Sequence, residues 1–129
     1  MADPVQGKVL VVEDEEDVAD SLLFALGLRG LTCESAVSGP EALMKASRFM
    51  PDVILLDLNL PGLDGLEVCL RLKSDAATEK IKIFVVSART TDRDVFISKQ
   101  VGADAFIAKP FELTKLVDRV CAALAGSPT

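Results

Sequence analysis

The chain has 129 residues, half of them hydrophobic, with 14 Lys and Arg against 20 Asp and Glu and a net charge of −6. That length suits one domain with its own core, and the negative field argues against direct nucleic-acid binding or an anionic membrane surface. Cys33, Cys69 and Cys121 are odd in number and widely spaced, which suits reduced thiols rather than disulfides or zinc; with no signal peptide and no apolar run near the roughly 18 residues of a membrane span, the protein is expected to be soluble, cytoplasmic and free of membrane insertion.

After a polar leader, residues 1–7, the run Lys8 to Glu13 carries VLVV and reads as a buried strand that ends in acid. Val18, Leu22, Ala25 and Leu26 recur at helical spacing and predict a first helix from about Glu15 to Arg29, closed by Gly30. Leu31 to Val37 alternates weakly and predicts a second strand. Ser38 or Gly39 ahead of Pro40 then supplies an N-cap and a proline at the first position of a helix reaching about Phe49. Pro51 blocks its continuation. Val53 to Leu56 is a run of branched residues suited to a central parallel strand. Asp57 stands at its tip, and Asn59, Pro61, Gly62 and Gly65 turn the chain away.

Leu66, Cys69, Leu70 and Lys73 mark one stripe of a short third helix, followed by a polar loop from Ser74 to Lys80. Ile83 to Val86 is another buried-strand run, ending at Ser87. A fourth helix is predicted from Thr91 to Val101, closed by Gly102. On it Ile97 and Val101 share a face, assigned to the sheet, which leaves Val95 nearly opposite and exposed. Ala105 to Ala108 makes a fifth strand, ended by Lys109-Pro110. Leu113, Leu116, Val117, Val120 and Leu124 then follow a 3.6-residue period, giving a last helix stopped by Gly126. The domain accordingly spans residues 8–125, with 126–129 a tail or the start of a linker. Strands alternating with helices at this spacing imply an α/β fold, a parallel sheet covered on both faces, with ligands at the carboxyl ends of the strands.

That edge gathers the polar residues that end the apolar runs: Glu13, Asp14, Asp57, Ser87 and Lys109. Singly each has an ordinary explanation, as a helix-start acid, a loop cap or a solvated strand end. Together they have the geometry of a site. Three carboxylates against one ammonium leave a charge of −2, which a divalent cation would balance. The ligands are hard oxygens, with no His in the chain, which selects Mg²⁺ or Mn²⁺ and, with it, phosphoryl chemistry. Asp57 can accept a phosphoryl group as an acyl phosphate, whereas Ser87 has no adjacent base to activate it.

The pieces VVEDE, LLDLNLPGLDG, VVSA and AKPF, in this order and spacing, resemble the receiver domain of two-component response regulators over about Lys8 to Leu124. The resemblance implies a doubly wound, flavodoxin-like sheet of order 2-1-3-4-5 with five helices. It implies that Asp57 is the phosphoacceptor, that Glu13 and Asp14 hold Mg²⁺ with Asp57, and that Asn59 lends a backbone carbonyl. Ser87 matches the switch hydroxyl, Lys109 the phosphate-pairing lysine, Phe106 the switch aromatic, and Pro110 the proline that usually follows a cis peptide. The acidic pair is Glu-Asp rather than Asp-Asp, which places Asp14 nearer the metal. The implied function is phosphoryl transfer from a histidine kinase or phosphotransfer protein to Asp57, with no enzymatic turnover beyond the domain's own phosphorylation and dephosphorylation.

The implied output surface lies on the fourth helix, fifth strand and last helix. Val95, Lys99, Phe106, Lys115 and Arg119 would border a face for a downstream partner, an output domain or a second copy of the chain. Two rivals remain at this stage. One is a receiver fold that binds partners without being phosphorylated. The other is a phosphatase with an aspartyl nucleophile, which would typically need a second Asp where this chain has Asn59.

Overall fold

The computed structural model describes residues 6–126; residues 1–5, most of the expected leader 1–7, and residues 127–129, most of the expected tail 126–129, lie outside the described residues. The elements are β1 (Lys8–Val12), α1 (Glu16–Leu28), β2 (Thr32–Ala36), α2 (Gly39–Phe49), β3 (Val53–Leu56), α3 (Gly65–Ser74), β4 (Lys82–Ser87), α4 (Asp92–Gln100), β5 (Ala105–Ala108) and α5 (Leu113–Leu124). All strands pair in parallel, in the order β2-β1-β3-β4-β5, which is the α/β architecture and strand order expected. No helix among the described residues is long and apolar enough to cross a membrane.

Alternation along the strands divides the core into two layers. Val9, Val11, Val53, Leu55, Phe84 and Val86 face α1 and α5, where Leu22, Leu26, Leu116, Val117 and Val120 meet them. Leu10, Val12, Ile54, Leu56 and Ile83 face the opposite way, against Ala42 and Ala46 of α2 and Val68, Cys69 and Leu72 of α3. A sheet buried on both faces needs strands without a polar side, which is why β1 and β3 read as continuous aliphatic runs.

The helix ends follow local chemistry. Ser38 caps α2, accepting from the Glu41 amide at 3.2 Å, while Glu41 Oε1 reaches back to accept from the Val37 amide at 2.7 Å. The two resemble a capping box, except that Glu41 reaches the amide of the residue before the cap rather than that of the cap itself. Gly30 and Gly102 take positive φ just past α1 and α4, a conformation that side chains with a Cβ disfavour.

Two expected helical faces are corrected. On α3 the buried residues are Gly65, Val68, Cys69 and Leu72, and Leu70 is exposed. Apolar residues cover more than half of the segment's circumference, so its phase is set by tertiary fit, with Gly65 against Asp57 and Leu58 just past β3. On α4 the buried residue is Ser98, while Val95, Ile97 and Val101 are half-buried and Phe96 is 63% exposed. Ser98 lies three residues from both Val95 and Val101, so these share the inward face, and Phe96, two residues from Ser98, points away. Val95 is therefore not the exposed apolar residue of this helix; its neighbour Phe96 is.

Candidate phosphoacceptor and metal site

The strand register brings the site together. Val12 of β1 stands beside Leu56 of β3, Leu56 beside Val85 of β4, and Ser87 beside Ala108 of β5. The next residues, Glu13, Asp57 and Lys109, therefore emerge at the same edge. Backbone hydrogen bonds carry the ladder past the strand ends: the Asp57 amide donates to the Val12 carbonyl at 3.0 Å and the Lys109 amide to the Ser87 carbonyl at 2.9 Å. The Lys109-Pro110 peptide is cis.

Lys109 Nζ donates to Glu13 Oε1 at 2.6 Å and to Asp57 Oδ2 at 3.0 Å. Both carboxylates are nearly buried, Glu13 at 3% and Asp57 at 5% exposure. Their other oxygens are also occupied. Glu13 Oε2 accepts from the Glu15 amide at 3.2 Å, and Asp57 Oδ1 from the Asn59 amide at 3.0 Å. Burial pushes the Glu13 carboxyl above its ordinary pKa, with the Asp57 charge adding to it, against the opposing pull of Lys109 and the Glu15 amide. For Lys109, burial works against the charged form, but ionic hydrogen bonds to Glu13 and Asp57 outweigh it and raise the pKa.

Asp14 differs from its neighbour: it is exposed, and no lysine holds it among the described residues. Glu13, Asp14 and Asp57 each place a carboxylate oxygen within 4.8 Å of the others. A cluster of hard oxygens carrying net negative charge and open to water on one side fits a divalent ion such as Mg²⁺, which keeps part of its water shell. It does not fit zinc or copper.

Ser87 is fully buried at the end of β4, and its Oγ accepts from the Arg89 amide at 3.0 Å. Asn59 is exposed in the turn after β3. That turn is shaped by Gly65, where a Cβ would lie 2.5 Å from the Asp57 carbonyl oxygen and 2.6 Å from Leu58 Cα; only glycine lets α3 start this close to Asp57.

The other singled-out residues lie away from the carboxylates. Phe106 is half-buried on β5, beside Val85. Lys99 is exposed, and Lys115 is 83% exposed with Glu112 at 3.6 Å. Arg119 is half-buried, its guanidinium 5.9 Å from the centre of the Phe84 ring. Sequence reasoning missed Arg89, which pairs with Asp64 and Asp94. Thr91 followed three residues later by an acid is a legible capping pattern, but the pairing of Arg89 with Asp64 across 25 residues leaves no local signal.

Comparison with known proteins agrees with this arrangement. The family model described as response regulator receiver domain matches residues 9–121. The sensory transduction protein RegX3 of Mycobacterium tuberculosis is 38% identical over 116 residues, 90% of this chain and 50% of that protein. The transcriptional regulatory protein PrrA of the same organism is 43% identical over 117 residues, 91% of this chain and 49% of that protein. The chain thus spans about half the length of the curated relatives it matches. Among solved structures, a putative response regulator from Chloroflexus aurantiacus superposes with a TM-score of 0.86 at 33% identity, covering 93% of this chain and 98% of that one. The shared strand order, the match across nearly the whole domain and the relatives together place this chain in the response-regulator receiver domain family.

Proposed function

We propose that this chain is a phosphoryl-accepting receiver of a two-component system, working in the cytoplasm over residues 8–125, with Asp57 as the acceptor. The observation that carries the reading is the buried Asp57 carboxylate at the tip of β3. It is gripped by Lys109 and lies within 4.8 Å of the Glu13 and Asp14 oxygens. In the transfer, an Asp57 oxygen attacks the phosphorus of a phosphohistidine on a histidine kinase or phosphotransfer protein. A P–O bond forms, the P–N bond breaks, and the released imidazole takes a proton from solvent. The chain has no His, so it cannot itself be the phosphohistidine donor.

Glu13, Asp14, Asp57 and the Asn59 carbonyl would hold Mg²⁺ or Mn²⁺, with Asp14 as the ligand least committed elsewhere. When bound, such an ion neutralises charge on the phosphoryl oxygens. Lys109, already beside Asp57, pairs with a phosphoryl oxygen, and the Ser87 hydroxyl turns to donate to another. The inward shift of Ser87 opens space beside β5 that Phe106 can fill. The consequence is a change at the face of α4, β5 and α5, where a downstream protein, an output domain or a second copy would bind; Lys99, Phe106, Lys115 and Arg119 border it, with Val95 half-buried on the inward side of α4. Hydrolysis of the acyl phosphate by water resets the domain, so the chain catalyses only its own phosphorylation cycle.

Incubation with Mg²⁺ and a small acyl phosphate should add one phosphoryl group by intact-mass spectrometry, and Asp57→Asn should take none. Equal labelling of that variant would remove Asp57 from the role. Mg²⁺ alone should raise the melting temperature by linkage, and Asp14→Asn should abolish the shift.

A further inference from the structure

Arg89 takes no part in the chemistry above, yet it ties together the segments around Ser87. Its backbone amide donates to Ser87 Oγ at 3.0 Å. Its guanidinium donates through Nη1 to Asp64 Oδ2 at 2.8 Å and through Nη2 to Asp94 Oδ1 at 3.3 Å. Asp64 is the N-cap of α3, and Asp94 stands in the first turn of α4. One residue therefore bridges the starts of two helices while its own backbone holds the hydroxyl. The Thr91 hydroxyl and then Arg89 keep the Asp94 carboxyl below its ordinary pKa.

We propose that Arg89 is a positioning residue that latches the loop between β4 and α4 in the unphosphorylated arrangement, so that phosphorylation of Asp57 has to work against it. The inference rests on Asp57 being the acceptor. Drawing Ser87 Oγ toward Asp57 either breaks its bond to the Arg89 amide or pulls that amide along. If the amide moves, the guanidinium cannot follow without leaving a carboxylate, because Asp64 immediately precedes Gly65, whose fit against Asp57 and Leu58 is fixed by backbone contacts. The latch thus tethers a segment that moves to one that does not. The Arg89 side chain is 30% exposed, so each bridge biases the equilibrium by at most about fivefold, and salt screens both.

The test titrates beryllofluoride with Mg²⁺ into the whole chain, read from the amide resonances of Ser87 and α4, at low salt and at about 0.5 M salt. Arg89→Ala should bind roughly threefold to tenfold more tightly than wild type at low salt. Asp64→Asn keeps the α3 cap, since Asn caps as well as Asp, and should fall between the two. The gap between wild type and Arg89→Ala should narrow at high salt, a readout that a purely structural arginine would not move. Equal affinities at both salts overturn the latch. Weaker binding by Arg89→Ala also overturns it, by showing that the guanidinium serves the phosphoryl group instead. If wild type itself fails to bind, the assignment of Asp57 falls and the latch falls with it, so the two failures are distinguishable.

Discussion

The two loops that flank Asp57 are held by different forces. On the β3–α3 side the restraint is steric: besides Gly65 against Asp57, a Cβ on Gly39 would lie 2.5 Å from Leu63 Cβ and 2.7 Å from the Leu63 carbonyl oxygen. Val68 and Leu72 of α3 are buried in the core beneath; at about 1.5–3 kcal/mol per buried aliphatic side chain they anchor that helix by several kcal/mol. On the β4–α4 side the restraint is polar. The loop is held by the Ser87, Arg89, Asp64 and Asp94 contacts, and α4 buries only Ser98, whose hydroxyl turns back to the Asp94 carbonyl at 2.7 Å. Steric fit fixes a position, whereas ion pairs partly open to solvent, such as those of Arg89, are broken at small cost. Asp57 and the acidic cluster sit on the rigid side, and the hydroxyl that would sense a phosphoryl group sits on the side able to move.

This contrast can be broken first at Gly65. Gly65→Ala forces a Cβ into backbone that has nowhere to retreat, and chemical denaturation should show a loss of about 3 kcal/mol; a loss under 1 kcal/mol would mean that the turn is not clamped. Lys109→Ala should cost about 1.5 kcal/mol at pH 8, less than a fully buried pair because the site is open on one side. The variant leaves Glu13 without its cation. Its folded pKa, already raised from 4.5, rises further, so the folded state binds a proton more tightly than the unfolded one. The deficit therefore shrinks as pH falls from 8 through the raised pKa toward 4.5, and a deficit unchanged at pH 5 would contradict this.

Hydrogen exchange sharpens the contrast without a mutation. Amides in the middle of α4 should exchange at least about tenfold faster than those of α3, since little apolar burial opposes local opening; equal protection would show that α4 is anchored by something else. The smallest effect is expected at Phe96→Ser, which should alter stability by no more than about 0.5 kcal/mol. A larger loss would place Phe96 in contacts that its exposure excludes.

The rigid half was the more legible in the sequence. Val53 to Leu56, Asp57 and the Asn59, Pro61, Gly62 series announce strand, site and turn by composition alone, and strand-end logic placed Glu13, Asp14 and Lys109 at the same edge. The mobile half was read less well for a physical reason. With Val95, Phe96 and Ile97 in succession, α4 has no single apolar stripe, and its inward residue is a serine that satisfies itself within the helix. Periodicity therefore misplaced Val95. On α3 the reverse held: Leu66, Val68, Cys69, Leu70 and Leu72 offer too many apolar faces, and the tertiary fit of Gly65 chose among them. Arg89 was invisible because its meaning lies in partners from other elements.

The grip of Lys109 on Glu13 spans 96 residues of chain, and its grip on Asp57 spans 52. During synthesis β1 and β3 leave the ribosome long before β5, so the acidic edge exists for a time without its cation. Contacts of such long sequence separation form late, and the complete pocket around Asp57 appears only when the last strand has docked beside β4. If Asp57 accepts a phosphoryl group as proposed, that competence is acquired only as the domain finishes folding, and a truncated or half-made chain would present the carboxylates without the lysine that pairs with them.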